Sequence, residues 1–235
     1  MRGERPTDYE VLSFDCYGTL IDWESGILVA MQPVLARHEL VSTVDEILGA
    51  YARAESAVEA GHYRPYREVL RRTFTAMAKD LGFAPRADEL ETLVESLPHW
   101  DPFPDTVAAL RALEAAGCRL AVISNVDDDL FAQTAERLEV EFDAVITAAS
   151  VQRYKPSEVM FRRALQVLDI GGDRLLHAAQ SRYHDIGPAR RLGIRTVHVR
   201  RDSGRERSAT PPAAGIEGNW SVDTVGELVE LLGVT

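Results

Sequence analysis

Five short apolar runs punctuate the chain, each closed by polar or turn-forming residues. Val11 to Phe14 ends at Asp15, and Leu120 to Ile123 ends at Ser124 and Asn125. Ala144 to Ile146, Leu175 to Ala178 and Thr196 to Val199 follow the same pattern. Runs this short and this apolar predict strands buried on both faces, as in a parallel sheet. Between them the spacing becomes helical. Thr106 to Ala116 carries Val107, Leu110 and Leu113 on one face, with Asp105 placed to cap its start and Gly117 to end it. Leu130 to Leu138, Glu158 to Leu168, Pro188 to Leu192 and Val222 to Leu232 read as further helices. Alternating strands and helices predict an α/β fold with a doubly wound parallel sheet.

Residues 22–97 break this rhythm. They hold helix-like stretches, Ile47 to Ala60 and Tyr66 to Leu81, and no convincing strand. Pro98, Pro102 and Pro104 then suit a stiff return to the sheet. The expected organisation is an α/β core of residues 1–21 and 98–235 with a helical cap, residues 22–97, inserted after the first strand. Ligands of open α/β sheets sit at the carboxyl ends of the strands, so an insert leaving from that end lies over the site. Arg201 to Asn219, rich in small and turn-forming residues, reads as a surface loop before the final helix.

Composition narrows the classes of function. Hydrophobic residues make up 46 % of the 235, enough for a real core. The formal net charge of −11, from 26 basic and 37 acidic residues, argues against a nucleic-acid partner. Two cysteines, Cys16 and Cys118, make neither a disulfide framework nor a metal-ligand spacing. The opening residues lack an apolar signal region and no apolar run approaches membrane-spanning length, so a cytoplasmic protein without membrane contact is expected.

Candidate chemistry gathers at strand ends. Asp15 is followed by Cys16, Tyr17, Gly18 and Thr19, a turn whose N–H groups can hold an anion. Ser124 and Asn125 put a hydroxyl and an amide at a second strand end, although such residues also cap helices routinely. Lys155 precedes a helix, and Asp185 follows a further apolar strand. Asp15 alone reads as a turn-capping carboxylate; with the other three it forms a nucleophile, a polar pair, a cation and a second acid facing one crevice.

The order of these features resembles the haloacid dehalogenase superfamily, and closest to it the 2-haloacid dehalogenases. Residues 11–20 are similar to its first motif, Ser124 and Asn125 to its second, Lys155 to its third and Asp185 to its fourth. The resemblance implies a Rossmann-like core and a cap, with Asp15 as covalent nucleophile. It implies that Lys155 keeps Asp15 ionised and that Asp185 activates the water that hydrolyses the ester. Thr19, Ser124, Asn125 and the N–H groups of Cys16 and Tyr17 would hold a small anionic substrate.

Departures from the superfamily's phosphatase pattern choose the branch. Tyr17 stands where a phosphatase carries its general acid, and a phenol of pKa about 10 is a poor substitute. Gln180 stands where a second metal-binding acid is usual, and Arg182 adds positive charge nearby. Both disfavour Mg²⁺, so no cofactor is expected for dehalogenation; Mg²⁺ belongs to the alternative, a phosphatase acting on a small phosphorylated metabolite. The dehalogenase pattern is also incomplete. Gln180 and Arg182 replace a usual Ser and Asn, and Phe161 replaces a Tyr. Arg53 is the candidate for the cap arginine that receives halide, with Arg64 and Arg67 as rivals, and Arg182 is a candidate for a substrate carboxylate.

Other features favour structural roles. Tyr63, Tyr66, His62, His99 and Trp100 read first as packing at the seam between cap and core. Cys16 reads as packing in its side chain, and Asp127 to Asp129 as a helix N-terminus rather than a metal cluster. A catalytically silent binding protein is disfavoured by the joint presence of Asp15, Lys155 and Asp185. A homodimer would need an exposed apolar helix face on the cap, and the sequence does not locate one.

Overall fold

The computed structural model describes residues 9–201 and 215–234. Six parallel strands form one sheet in the order β3-β2-β1-β4-β5-β6. They are β1 (Val11–Phe14), β2 (Arg119–Ser124), β3 (Ala144–Thr147), β4 (Leu175–Ala179), β5 (Arg195–Val199) and β6 (Trp220–Val222). The five expected strands are present within a residue or two. The sixth is a correction: Trp220 to Val222 pairs with Val197 to Val199 at the sheet edge, where Val222 had been read as the start of a helix. That helix begins at Val225, capped by the Thr224 side chain. A three-residue edge strand is too short to leave a period of its own. Residues 202–214 of the expected loop lie outside the described residues.

Helices cover both sheet faces. Alternation along β1 sends Leu12 and Phe14 into one core and Val11 into the other. The first core takes in α5 (Thr106–Ala115), α6 (Asp128–Leu138) and α10 (Val225–Leu231); the second takes in α8 (Glu158–Leu168) and α9 (Gly187–Arg191). One short helix, α7 (Ala148–Val151), follows β3. Gly117 ends α5 with φ +78°, the left-handed conformation expected of it.

Between β1 and α5 lie α1 (Trp23–Arg37), α2 (Val44–Glu59), α3 (Tyr66–Asp80) and α4 (Thr92–Ser96). Sequence-local caps start the first two. Asp22 accepts the Ser25 N–H, and Thr43 makes a reciprocal capping box with Glu46. The α3 helix begins at Pro65 without a cap of its own, and Asp127 from the core supplies one, accepting the N–H groups of Tyr66 and Arg67 at 2.7 and 3.0 Å. The two crossings into the insert run side by side, with the Asp22 N–H donating to the Asp101 carbonyl at 2.9 Å. No helix of the described residues is long and apolar enough to cross a membrane.

Candidate active site

Three strand ends converge on a cavity of about 100 Å³ between sheet and helical insert. That is well below the roughly 300–1,000 Å³ of a drug-sized site and suits a substrate of few heavy atoms. Asp15 enters from β1, Ser124 and Asn125 from β2, and Gln180, Ser181, His184 and Asp185 from the segment after β4.

Lys155 organises the charges. Its ammonium donates to Asp15 Oδ1 at 2.7 Å, to Asp185 Oδ1 at 2.7 Å and to the Ile123 carbonyl at 2.8 Å, so all three protons are used. Burial works against its charge, but the two carboxylates outweigh it and hold the ammonium above its ordinary pKa. The other Asp15 oxygen accepts from Thr19 Oγ1 at 2.7 Å. Burial pushes the Asp15 carboxyl up, opposed by Lys155. Burial acts the same way on Asp185, yet Lys155 and His177 pull that carboxyl below its ordinary range.

The loop after Asp15 is pinned from several sides. Thr19 Oγ1 accepts the Gln180 N–H at 2.9 Å, and the Thr19 carbonyl accepts Arg201 Nε at 2.8 Å. Gly18 has φ +93°, where a Cβ would strain the backbone. Asp185 sits in a single π-helical turn, Arg182–Ile186, a form enriched at functional sites. Behind it, His177 Nε2 lies 3.1 Å from Asp185 Oδ1, and His177 Nδ1 lies 2.8 Å from Ser13 Oγ. Asp185 Oδ2 and the Ser124 hydroxyl are buried without a protein partner among the described residues, and both residues line the cavity.

Several expected site residues are placed elsewhere. Arg53 lies on the outer face of α2, two-thirds exposed, paired with Asp80 at 3.2 Å. Its rivals are engaged too: Arg64 with Glu68 and the His62 carbonyl, Arg67 with Asp127 and Asp129. Arg182 turns outward to Glu217 at 3.2 Å. The Cys16 side chain is fully buried in the core, and burial raises its thiol well above the ordinary value. Thr19 holds Asp15 rather than lining the cavity. Tyr17 lines it, but its phenol is 2.9 Å from Thr134 Oγ1, whose own proton goes to the Leu130 carbonyl. Asn125 lines it while holding the Lys155 backbone in both directions. Phe161 packs edge-on against His177. Asp127 to Asp129 do mark a helix N-terminus, although the Asp127 carboxylate serves α3 instead of α6.

Sequence reading missed the wall facing Asp15. Tyr51, Glu55 and Glu59 stand on successive turns of α2 and line the cavity with Trp23, Tyr66 and Trp100. Tyr51 and Tyr66 both donate to Glu55 Oε1 at 2.6 Å. Burial raises both glutamates, Glu59 the more strongly. The i, i+4, i+8 spacing of these three residues was the available signal. Tyr66 and Trp100 thus line the cavity, Tyr63 lines an adjoining recess, and His62 and His99 line neither. His184, its imidazole lowered by burial to about 4, is neutral at physiological pH.

An aspartate after the first strand, a lysine tying it to a second aspartate and an inserted helical segment together define a class of hydrolase. The chain belongs to the haloacid dehalogenase-like hydrolases, whose family model matches residues 9–193. It is 30 % identical over 233 residues to (S)-2-haloacid dehalogenase H-109 of Pseudomonas putida, covering 91 % of this chain and 98 % of that one. With (S)-2-haloacid dehalogenase 1 of Pseudomonas sp. strain CBS-3 it shares 24 % identity over 195 residues, 80 % of this chain and 83 % of the relative. The fold matches L-2-haloacid dehalogenase from Xanthobacter autotrophicus with chloropropionic acid covalently bound, at TM-score 0.80 and 21 % identity over 96 % of this chain and 98 % of that one.

Proposed function

We propose that the protein hydrolyses a small 2-halo acid through an aspartyl ester, without a metal. The observation that carries this reading is the Lys155 ammonium held 2.7 Å from both Asp15 and Asp185. The Asp15 carboxylate attacks the halogen-bearing carbon; the new C–O bond forms as the C–X pair leaves with halide. Water then attacks the Asp15 carbonyl carbon. Asp185 Oδ2, buried and unpaired, accepts the water's proton, and the hydroxy acid leaves as Asp15 is regenerated. Ser124 Oγ and the N–H groups after Asp15 hold the substrate carboxylate. No arginine among the described residues lines the cavity, and on that lining the halide departs toward neutral donors. The Trp23 indole N–H, beside Gly18, is one.

Mg²⁺ chemistry fits the donor set poorly. Asp15 and Asp185 each give one oxygen to Lys155, Gln180 brings no charge, and the Tyr17 proton is committed to Thr134. The helical insert, residues 22–97, acts as the cap that excludes water.

The test is halide and phosphate release measured in parallel from chloroacetate, 2-chloropropionate and 4-nitrophenyl phosphate, with EDTA and with Mg²⁺. Halide release that survives EDTA and disappears in Asp15→Asn is expected. Phosphate release dependent on Mg²⁺, without halide, would overturn the reading.

A further inference from the structure

The cap side of the cavity is acidic and aromatic where a cationic clamp for an anion was expected. Among the described residues the whole cavity lining holds the carboxyls of Asp15, Glu55, Glu59 and Asp185 against one cation, Lys155, with Glu55 and Glu59 on the cap side. Lys155 is already fully committed to Asp15, Asp185 and a carbonyl. Glu55 accepts two phenolic hydrogen bonds on a single oxygen, an arrangement that suits its ionised form. Glu59, one turn further along α2, has no hydrogen bond to a protein group among the described residues and also borders the adjoining recess of about 220 Å³; burial favours its neutral form, and a cation placed beside it would favour the ionised one. Around these carboxyls stand the rings of Trp23, Tyr51, Tyr66 and Trp100. With both tyrosine hydroxyls turned to Glu55, those two residues offer ring surface to the remaining space. Carboxylates framed by aromatic faces are how proteins recognise organic cations. On the opposite, core side, the Ser124 hydroxyl is fully buried, unpaired and part of the same lining. The cavity therefore has one end built for an oxygen-rich group and one end built for a positive group.

We propose that the cap half of the cavity is a subsite for an organic ammonium group, so that the preferred substrate carries a positive charge a few bonds from the carbon attacked by Asp15. This rests on the reaction proposed above for its orientation, since the carboxylate end is assigned to Ser124 and the loop after Asp15. Glu55 and Glu59 then set specificity and take no part in bond making. A bare haloalkanoate would leave them facing apolar substrate.

Binding separates this idea from the chemistry. Calorimetric titration of the unmodified protein with 4-aminobutanoate and with butanoate compares two chains of equal length that differ in one ammonium. The amino compound is expected to bind about tenfold tighter or better. Glu55→Gln and Glu59→Gln should each reduce that preference, with butanoate affinity held or improved. Equal affinity of the unmodified protein for the two compounds, or a preference untouched in both variants, would overturn the proposal. In parallel, halide release is followed from 2-chlorobutanoate and from its 4-ammonio derivative. Ammonium-selective binding with no halide from either compound would remove the dehalogenation reading and leave the subsite standing. Halide from both at equal kcat/KM would do the reverse.

Discussion

Replacing Lys155 with methionine removes a cation from between two buried carboxylates while keeping a side chain of similar length. At 2.7 Å and an effective dielectric of about 20, each contact carries roughly 6 kcal/mol of gross Coulomb attraction. Lost hydration, several kcal/mol per buried ion, offsets much of it. Stripping one partner from a buried pair costs about 3–5 kcal/mol, because the remaining charge is left uncompensated. Here two carboxylates are stranded, but one escapes by taking a proton, so the loss should stay near that range, or about 6–20 °C in Tm for a chain of this size. The pH dependence gives a second check. Burial opposes Asp185 ionisation, yet Lys155 and His177 hold its pKa below the ordinary value. Its stabilisation is therefore present above the ordinary carboxylate range and lost as pH falls through the lowered pKa. The Lys155 pKa is raised, so the ammonium stays charged at every lower pH and its own titration costs stability only as pH rises through that raised value; in acid the pair is lost through its carboxylates instead. The stability gap between wild type and Lys155→Met, read from urea unfolding, should thus be wide at neutral pH and narrow below about pH 4. A gap under about 1 kcal/mol at neutral pH, or one that ignores acid, would refute the reasoning.

Burial, reinforced by Asp185 and opposed by Lys155 and Thr19, holds the Asp15 carboxyl above 3.8. An ionised nucleophile then requires that kcat/KM fall in acid along a limb centred above that value, the limb belonging to the coupled pair; a midpoint at or below it would contradict this. His177→Gln loosens Asp185 from behind, so ester hydrolysis should slow by about tenfold or more while ester formation persists. Stopped-flow halide detection should then show a burst equal to the enzyme concentration, and a uniform slowing without a burst counts against a positioning role. In Gly26→Ala the new Cβ would lie 2.2 Å from the Trp100 ring, which is buried and donates to Ser96 Oγ at 3.2 Å. The clash should cost about 1–3 kcal/mol despite the helix-propensity gain of about 1 kcal/mol; a raised Tm would show that the indole moves freely.

What the sequence disclosed follows from range. Asp15, Ser124 and Asp185 stand at or just after the ends of apolar strands, so local pattern was enough to place them on one crevice. Lys155 needed the motif order, because a lone lysine ordinarily reads as surface. Arg53 went wrong through helical geometry: it lies two positions from both Tyr51 and Glu55, hence on the opposite side of α2. Glu55 and Glu59 carry nothing in the local sequence that separates them from the solvated charges of an ordinary helix, and the tertiary placement of α2 turns them inward. Arg201 was read as the start of a loop, yet its guanidinium is buried over Phe103 and holds the Thr19 carbonyl. The edge strand β6 gave no periodic signal, and the cap of α3 comes from 61 residues away.

The bond from Asp127 to the start of α3 makes the lid and the grip one mechanical unit. Ser124, Asn125 and Asp127 belong to a single four-residue stretch leaving β2, so a displacement of α3 that keeps those N–H contacts would pull on Ser124, proposed to hold the substrate carboxylate, and on Asn125, which holds the Lys155 backbone. On the proposed mechanism, release of product and opening to solvent would then be one event, and a broken tether, as in Asp127→Ala, would let the site become wet while the substrate is still held.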